Sequence, residues 1–164
     1  MIFVTVGTHE QQFNRLISSI DILKEKKVIS EEVFIQRGYS DYIPRFCKSK
    51  KFLDIDEMDQ YTKKANLVIT HGGPSSFLKV ISMNKPVIIV PRRLKYKEHI
   101  NDHQQEFLIK LHSKGYKFPM INNIDEIGNL INTIISTDAG SYFKSNNKNF
   151  NNSLRTEISK IFKY

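Results

Sequence analysis

Ten consecutive residues decide the expected fold: Leu67-Val68-Ile69-Thr70-His71-Gly72-Gly73-Pro74-Ser75-Ser76. The first four are apolar or β-branched, which predicts a strand buried on both faces of a sheet. Pro74 and the two serines after it are typical of the first turn of a helix, and the two glycines allow a tight turn between strand and helix. A buried strand that passes directly into a helix indicates an α/β protein.

The alternation of strand and helix continues on both sides of this segment. Strands are predicted at residues 2–6, 32–36, near 51–53, 67–70 and 86–91, and helices from residue 11 onward and at residues 56–64, 75–83, 102–113 and 124–136. This order predicts a parallel sheet with right-handed crossovers and helices on both faces. Such sheets bind ligands at the carboxyl ends of their strands, where four polar loops of this chain are expected to converge.

The composition limits the class of protein. Of the 164 residues, 40% are hydrophobic and 26% are charged, which is typical of one globular domain. No apolar run approaches the roughly 18 residues of a membrane span, and the first residues lack the features of a signal peptide, so a cytoplasmic or peripheral protein is expected. The single cysteine, Cys47, excludes an internal disulfide, and the net charge of +8 favours anionic partners.

The chain is divided into a domain at residues 1–140 and a tail at residues 141–164. The tail carries apolar residues at roughly helical intervals, namely Phe143, Phe150, Leu154, Ile158 and Phe162. This pattern predicts an amphipathic helix. Such a helix either closes its own sheet or docks on a partner, and the sequence leaves both explanations open.

The turn at residues 71–76 is a candidate phosphate-binding site. A helix N-terminus presents unpaired amides and about half a positive charge, and glycines let the backbone approach a ligand closely. The alternative explanation is a tight turn with capping serines. The turn is not a Walker loop, and Gly7-Thr8-His9 is not the dinucleotide fingerprint, because the required lysine and further glycines are absent.

A second polar segment surrounds the start of the helix predicted at residues 102–113. It contains Glu98, His99, Asn101, Asp102, His103, Gln104 and Gln105. Carboxylate and amide groups at this density suit the hydroxyls of a sugar, although Asp102 or Asn101 also suits a helix cap. His99 and His103 have the spacing of a zinc pair, but no third ligand is evident, so no metal is predicted.

Two shorter features allow two explanations each. Asp54-Ile55-Asp56 resembles the paired aspartates with which some sugar transferases hold a cation, but Asp56 followed by Glu57 indicates a helix N-cap and a structural role. His9 lies just past the first strand and is a candidate general base, while Thr8 and Glu10 beside it suit a capping role equally.

Four segments in this order resemble a known family. They are GTHEQQFNRL (7–16), FIQRGYSDY (34–42), FLDIDEMDQYTKKANLVITHGGPSSFLKVISMNKPVIIVPR (52–92) and EHINDHQQEF (98–107). Together they resemble the C-terminal, donor-binding half of family 28 glycosyltransferases. They are most similar to the small stand-alone subunits of bacterial exopolysaccharide and capsule synthesis, which are related to the catalytic subunit of the eukaryotic two-component N-acetylglucosaminyltransferase. The resemblance covers about residues 1–135.

The resemblance implies a Rossmann-like sheet that forms half of a GT-B fold and an inverting transfer of a hexose from a UDP-sugar, with no cofactor and no essential metal. It implies a site in three parts: Gly7, Thr8, His71, Gly72, Gly73, Pro74, Ser75 and Ser76 at the diphosphate, the segment 98–105 at the sugar and ribose, and Gly38, Leu53, Ile55 and Met58 at the nucleobase. His71 is expected to stabilise the charge of the departing diphosphate. Lys79 stands where the family often has a ribose-binding carboxylate, so Glu98 or water is expected to replace that contact.

A complete two-domain transferase needs roughly twice this length, so a partner is expected. The resemblance implies a membrane-anchored subunit with the acceptor site, a polyprenyl-diphosphate-linked saccharide as acceptor, and a position at the inner face of the plasma membrane. Nucleic acid is not an expected partner, because the lysines are scattered. Self-association is expected when the partner is missing. The alternative function is a non-catalytic subunit that stabilises a transferase without binding donor.

Overall fold

A five-stranded parallel sheet forms the centre of the protein in a computed structural model that describes residues 1–116, 118–137 and 148–161. Its strands are β1 (Ile2–Thr5), β2 (Val33–Gln36), β3 (Lys48–Lys50), β4 (Leu67–His71) and β5 (Val87–Val90). They lie in the order β3-β2-β1-β4-β5, and every neighbouring pair is parallel. The predicted Rossmann-like α/β sheet is confirmed.

Helices cover both faces of this sheet. They are α1 (Asn14–Glu25), α2 (Ile55–Lys64), α3 (Pro74–Ser82), α4 (His103–Ser113), α5 (Ile127–Ser136) and α6 (Lys148–Ile161). Successive residues of β1 point to opposite faces. Val4 packs in one cluster with Ile20 of α1 and Ile131 of α5, and Phe3 packs in another with Phe77 of α3. The sheet is therefore buried on both sides, which explains why its central strands are continuously apolar.

The third strand was predicted in the wrong place. It occupies Lys48–Lys50 rather than residues 51–53 and pairs with β2 through Phe34 and Lys48. β3 lies at the edge of the sheet, where exposed lysines are common because they discourage pairing with another chain. Phe52 instead packs edge-on against Tyr39, with ring centroids 5.1 Å apart.

The N-cap of helix α2 lies two residues before the predicted cap. Asp54, not Asp56, is the N-cap: its carboxylate accepts a hydrogen bond from Glu57 N at 2.8 Å, and Asp54 N donates to the Glu57 carboxylate at 3.1 Å. This reciprocal capping box gives Asp54 a structural role.

The tail forms helix α6, which packs on its own domain. Leu154 and Ile158 are buried in the cluster that contains Phe77. Phe143 and Phe162 lie outside the described residues, as does the side chain of Phe150. Of the helices in the described ranges, none combines the length and apolar character needed to cross a membrane.

Candidate functional site

A cavity of about 530 Å³ opens at the carboxyl edge of the sheet, beside the ends of β1 and β4. It is lined by Thr5, Gly7, Thr8, His9, Gln36, Leu53, Asp54, Ile55, Met58, His71, Ser75, Ser76 and Lys79. A smaller cavity of about 240 Å³ adjoins it between α2 and α3 and shares Met58, Ser75, Ser76 and Lys79. This is the edge where parallel sheets bind ligands.

Most of the predicted phosphate and nucleobase residues line this cavity, together with four residues that were not predicted as ligand contacts. They are Thr5, Gln36, Asp54 and Lys79. Thr5 and Gln36 could have been predicted from the sequence, because a polar residue at the carboxyl end of an otherwise apolar strand indicates a ligand-binding site. Thr5 donates to Gln36 Oε1 at 2.7 Å, and the Gln36 amide bonds both Gly7 N and Gly7 O. Gln36 therefore holds the turn after β1 in place.

Gly38, predicted beside the nucleobase, lies behind the Gly7 turn instead. Its φ is +56°, and a Cβ atom there would lie 2.6 Å from Gly7 O. A glycine is therefore required by close packing of the two turns. Among the described lining residues, Gly38 is absent, so the predicted nucleobase contact is not supported.

His71 lies between two glycine turns and is neutral. A Cβ atom on Gly7 would approach its Nε2 to 2.6 Å, and one on Gly73 would approach its Cε1 to 2.3 Å. Its Nδ1 accepts from Gly73 N at 3.0 Å, and Nε2 lies 2.9 Å from Ser76 Oγ. Burial, together with the charge of Arg92, lowers the pKa of His71 to about 3. A neutral ring brings no positive charge to a diphosphate, and both ring nitrogens bond within the turn, so in this structure His71 positions the turn. Its stabilisation of the departing diphosphate stays a prediction.

Two of the backbone amides expected to hold a diphosphate are already occupied. Gly72 N donates to Gln104 Oε1 at 3.0 Å, and Gly73 N donates to His71. Ser76 N donates to Gly73 O at 3.1 Å, as in a first helical turn. Ser75 N has no acceptor among the described residues. The donors that this turn leaves for a ligand are therefore the Ser75 amide and the serine hydroxyls.

The second polar segment adjoins the cavity but bonds mainly to the protein itself. Gln104 Oε1 also accepts from Arg92 N at 3.1 Å, so this side chain joins the end of β5 to the turn after β4. The Asp102 carboxylate accepts from Arg93 Nε and Leu94 N, each at 3.0 Å. The remaining amide groups bond locally: Asn101 Oδ1 accepts from His103 N, and Gln105 Nε2 donates to Asn122 Oδ1. Within the described residues of the cavity lining, none of this segment appears.

Glu98 has a structural role and not the predicted contact with ribose. Its side chain is fully buried. Both carboxylate oxygens accept from the Arg15 guanidinium at 2.8 Å, and one also accepts from Arg93 N at 3.0 Å. A ribose hydroxyl has no access to these oxygens.

His9 and His99 stack beside the cavity, with ring centroids 4.5 Å apart. Burial lowers the pKa of His9, and the neighbouring His99 and Arg92 lower it further, so the ring is neutral near pH 7. Its Nδ1 accepts from Gln11 N at 3.3 Å, which leaves the proton on Nε2. In this arrangement His9 offers the cavity a donor, and its one lone pair is engaged, which argues against the predicted role as general base.

Arg92 is fully buried behind the site. Its two terminal nitrogens donate to the carbonyl oxygens of Val6, Gln11, Gln12 and Glu98 at distances from 2.7 to 3.0 Å. Burial lowers its pKa to about 10, so the group remains charged. Arg92 thus fastens the loop after β1 to the loop after β5.

The described residues contain no group of three or more His, Cys, Asp or Glu side chains that could hold a metal ion. Cys47 is buried, and burial raises the pKa of its thiol to about 12. The thiol is therefore protonated and unreactive at neutral pH.

Residues 1–159 match the C-terminal domain of glycosyltransferase family 28. The chain belongs to this family. The match covers every element that lines the cavity, from β1 to α3.

Two curated relatives of this family 28 domain are the UDP-N-acetylglucosamine transferase subunits ALG13 of Homo sapiens and Mus musculus. The human protein is 29% identical over 126 residues, and the mouse protein is 27% identical over 123 residues. Each alignment covers 71% of this chain but only 11% and 10% of the respective relative. The chain thus spans a small part of these much longer proteins.

The crystal structure of Acinetobacter baumannii MurG has a similar fold. It superimposes with a TM-score of 0.54 at 16% sequence identity, covering 96% of this chain and 49% of that chain. The family 28 domain therefore has the fold of the C-terminal half of a GT-B glycosyltransferase, as its sequence predicts.

Proposed function

We propose that this family 28 domain binds a UDP-sugar in the cavity at the carboxyl edge of its sheet and forms the donor half of a two-component glycosyltransferase. The observation that carries the proposal is this cavity, in which the Ser75 amide and the hydroxyls of Ser75 and Ser76 lie at the start of α3. Such donors suit an anion at a helix N-terminus. The two mammalian relatives are subunits of a UDP-N-acetylglucosamine transferase, which supports a UDP-linked donor.

The two sides of the cavity suit the two ends of a nucleotide. Leu53, Ile55 and Met58 offer an apolar side for the nucleobase. Thr8, with the serines of α3, offers hydroxyls for the diphosphate on the other side. The hexose would extend toward His9, whose Nε2–H is a donor in the cavity lining.

The proposed reaction is an inverting transfer. An acceptor hydroxyl oxygen attacks the anomeric carbon of the hexose, the bond from that carbon to the diphosphate oxygen breaks, and the electron pair leaves with UDP. Donors aimed at the diphosphate stabilise its growing charge, so we propose no requirement for a metal ion. The hydroxyl proton passes to a base, and because the lone pair of His9 is engaged by Gln11, we propose that the partner supplies this base.

The proposed partner is a membrane-anchored subunit that binds the acceptor, a polyprenyl-diphosphate-linked saccharide of exopolysaccharide or capsule synthesis. The complex would work at the inner face of the plasma membrane. Leu94, Tyr96 and Ile100 support a partner at this edge, because they lie beside the site with 51%, 42% and 70% of their surface exposed. A docking role of the tail remains part of the proposal, although Leu154 and Ile158 are used within the domain.

One observation favours the alternative, a non-catalytic subunit that stabilises a transferase. The amides of Gly72 and Gly73 are bonded to side chains of the protein, which reduces the number of donors left for a diphosphate.

Titration calorimetry separates the two functions. We expect one UDP to bind per chain, with uridine weaker and ADP weaker still, and transfer from a UDP-sugar to lipid-linked acceptor only after the membrane subunit is added. Transfer that proceeds unchanged in a chelator would support the metal-independent reaction. A chain that binds neither UDP nor any UDP-sugar, yet raises the activity of a complete transferase, would support the alternative.

A further inference from the structure

Lys79 is the only lysine or arginine among the described residues that line the cavity. It lies on α3, four residues after Ser75 and three after Ser76, so the three side chains share one face of the helix. Its side chain also lines the smaller cavity between α2 and α3. The ammonium group is therefore presented beside the hydroxyls that suit a diphosphate.

The other basic groups near the cavity cannot take this role. His71 is neutral because burial holds its pKa near 3, and burial likewise lowers the pKa of His9. Arg92 is fully buried, and its terminal nitrogens are bonded to carbonyl oxygens. Among the described residues that line the cavity, Lys79 is thus the one accessible cation that a diphosphate would meet.

Lys79 forms an ion pair with Asp59 of α2, and 46% and 34% of the two side chains are exposed. The pair is thus partly open to solvent and to a ligand. A diphosphate carries more negative charge than one carboxylate and offers more acceptor oxygens, so it competes well for the same ammonium group.

We propose that Lys79 binds the diphosphate of the nucleotide directly and that Asp59 weakens this contact by competing for the ammonium group. The inference rests on the proposed function, because it names a ligand group for the same cavity. It also explains specificity: the domain distinguishes a nucleoside diphosphate from a nucleoside through Lys79, whose charge is partly compensated by Asp59.

The two members of the ion pair give opposite predictions. Lys79→Met removes the cation, and we expect UDP to bind about tenfold more weakly, since a hydrogen bond to a charged group is lost. Asp59→Asn removes the competitor, and we expect UDP to bind about threefold more tightly. Lys79→Arg keeps the charge and is expected to retain most of the affinity. Uridine has no phosphate, so its affinity is expected to stay the same in all three variants.

The experiment is titration calorimetry of the full chain with UDP and with uridine, with thermal melts to verify folding. Lys63→Met is the matched control, because Lys63 is an exposed lysine of α2 outside the cavity lining. If Lys79→Met and Asp59→Asn both lower the affinity for UDP, the ion pair only joins α2 to α3 and the inference is overturned. If Lys79→Met lowers the affinities for UDP and for uridine equally, the inference is overturned as well. The proposed function still stands in these cases as long as the wild-type chain binds UDP. A wild-type chain that binds no UDP overturns both.

Discussion

Ser76 Oγ lies 2.9 Å from Nε2 of His71, and this contact fixes the direction of the serine hydroxyl. Nδ1 of the same neutral ring accepts from Gly73 N, so Nε2 carries the proton and donates to Ser76. The hydroxyl proton of Ser76 is then free to point into the cavity. A neutral histidine thus orients a serine donor toward a ligand without contributing charge.

Ser76→Ala is expected to weaken UDP binding about tenfold, because one prepared donor is lost. The matched control is Ser82→Ala on the same helix, whose exposed hydroxyl bonds Lys79 O at the far end from the cavity. Calorimetry measures both. Equal affinities for UDP in the two variants would show that Ser76 does not face the ligand.

Gly7→Ala is expected to destabilise the fold more than Gly115→Ala. Both glycines have positive φ, at +74° and +89°, so both changes carry a backbone cost of about 1 kcal/mol. At Gly115 nothing lies within 4 Å of the added Cβ, whereas at Gly7 it would lie 2.6 Å from His71 Nε2. We therefore expect Gly7→Ala to lower the free energy of unfolding by about 3 kcal/mol in urea titrations. Equal costs would mean that the His71 ring moves aside freely.

The pH dependence of stability is expected to carry a contribution from His71. Burial lowers its pKa from 6.5 to about 3. Between these two pH values the ring is protonated in the unfolded chain but stays neutral in the folded chain. Folding stability from this group is therefore present above pH 6.5 and falls as the pH decreases toward 3. At pH 4 the loss relative to pH 7 is roughly 3 kcal/mol.

His71→Asn removes this contribution, so its stability deficit relative to wild type is expected to shrink as the pH falls. Urea titrations between pH 7 and pH 4 measure the difference, with the exposed His103→Asn as control. Parallel pH profiles for wild type and His71→Asn would contradict a ring whose pKa is lowered in the folded state.

Glu98→Gln is expected to lower the free energy of unfolding by about 3 kcal/mol, because it leaves the Arg15 charge without its buried partner. Glu32→Gln is the control: it breaks an ion pair with Lys48 whose side chains are 57% and 75% exposed, so solvent screens the pair and the loss of stability is expected to be much smaller. Since Glu98 does not line the cavity, UDP affinity is expected to change little. Normal stability with lost UDP affinity would restore the predicted ribose contact.

The sequence predicted the central elements well because their signals are local. β1, β4 and β5 are continuous apolar runs, and Pro74 marks the start of α3. β3 was misplaced because Lys48–Lys50 is polar and becomes a strand only by pairing with β2 at the edge of the sheet. No periodicity in three residues reports such a long-range pairing.

The candidate site was predicted in its location but not in its chemistry. The turns that line the cavity follow strand ends, which a parallel topology brings together. The hydrogen bond from the Gly72 amide to Gln104 joins residues 32 positions apart, and the ion pair of Lys79 with Asp59 joins two helices. Contacts of this kind depend on helix packing, which local sequence does not report.

The guanidinium of Arg92 donates hydrogen bonds to carbonyl oxygens of the loops after β1 and β5, so both loops are fixed before a ligand binds. The loops beside the cavity therefore already have a fixed arrangement, and little conformational entropy is lost when a ligand binds. Under the proposed function, nucleotide binding by this domain is therefore expected to be a single fast step, and any slow closing motion is expected to accompany the approach of the proposed second subunit.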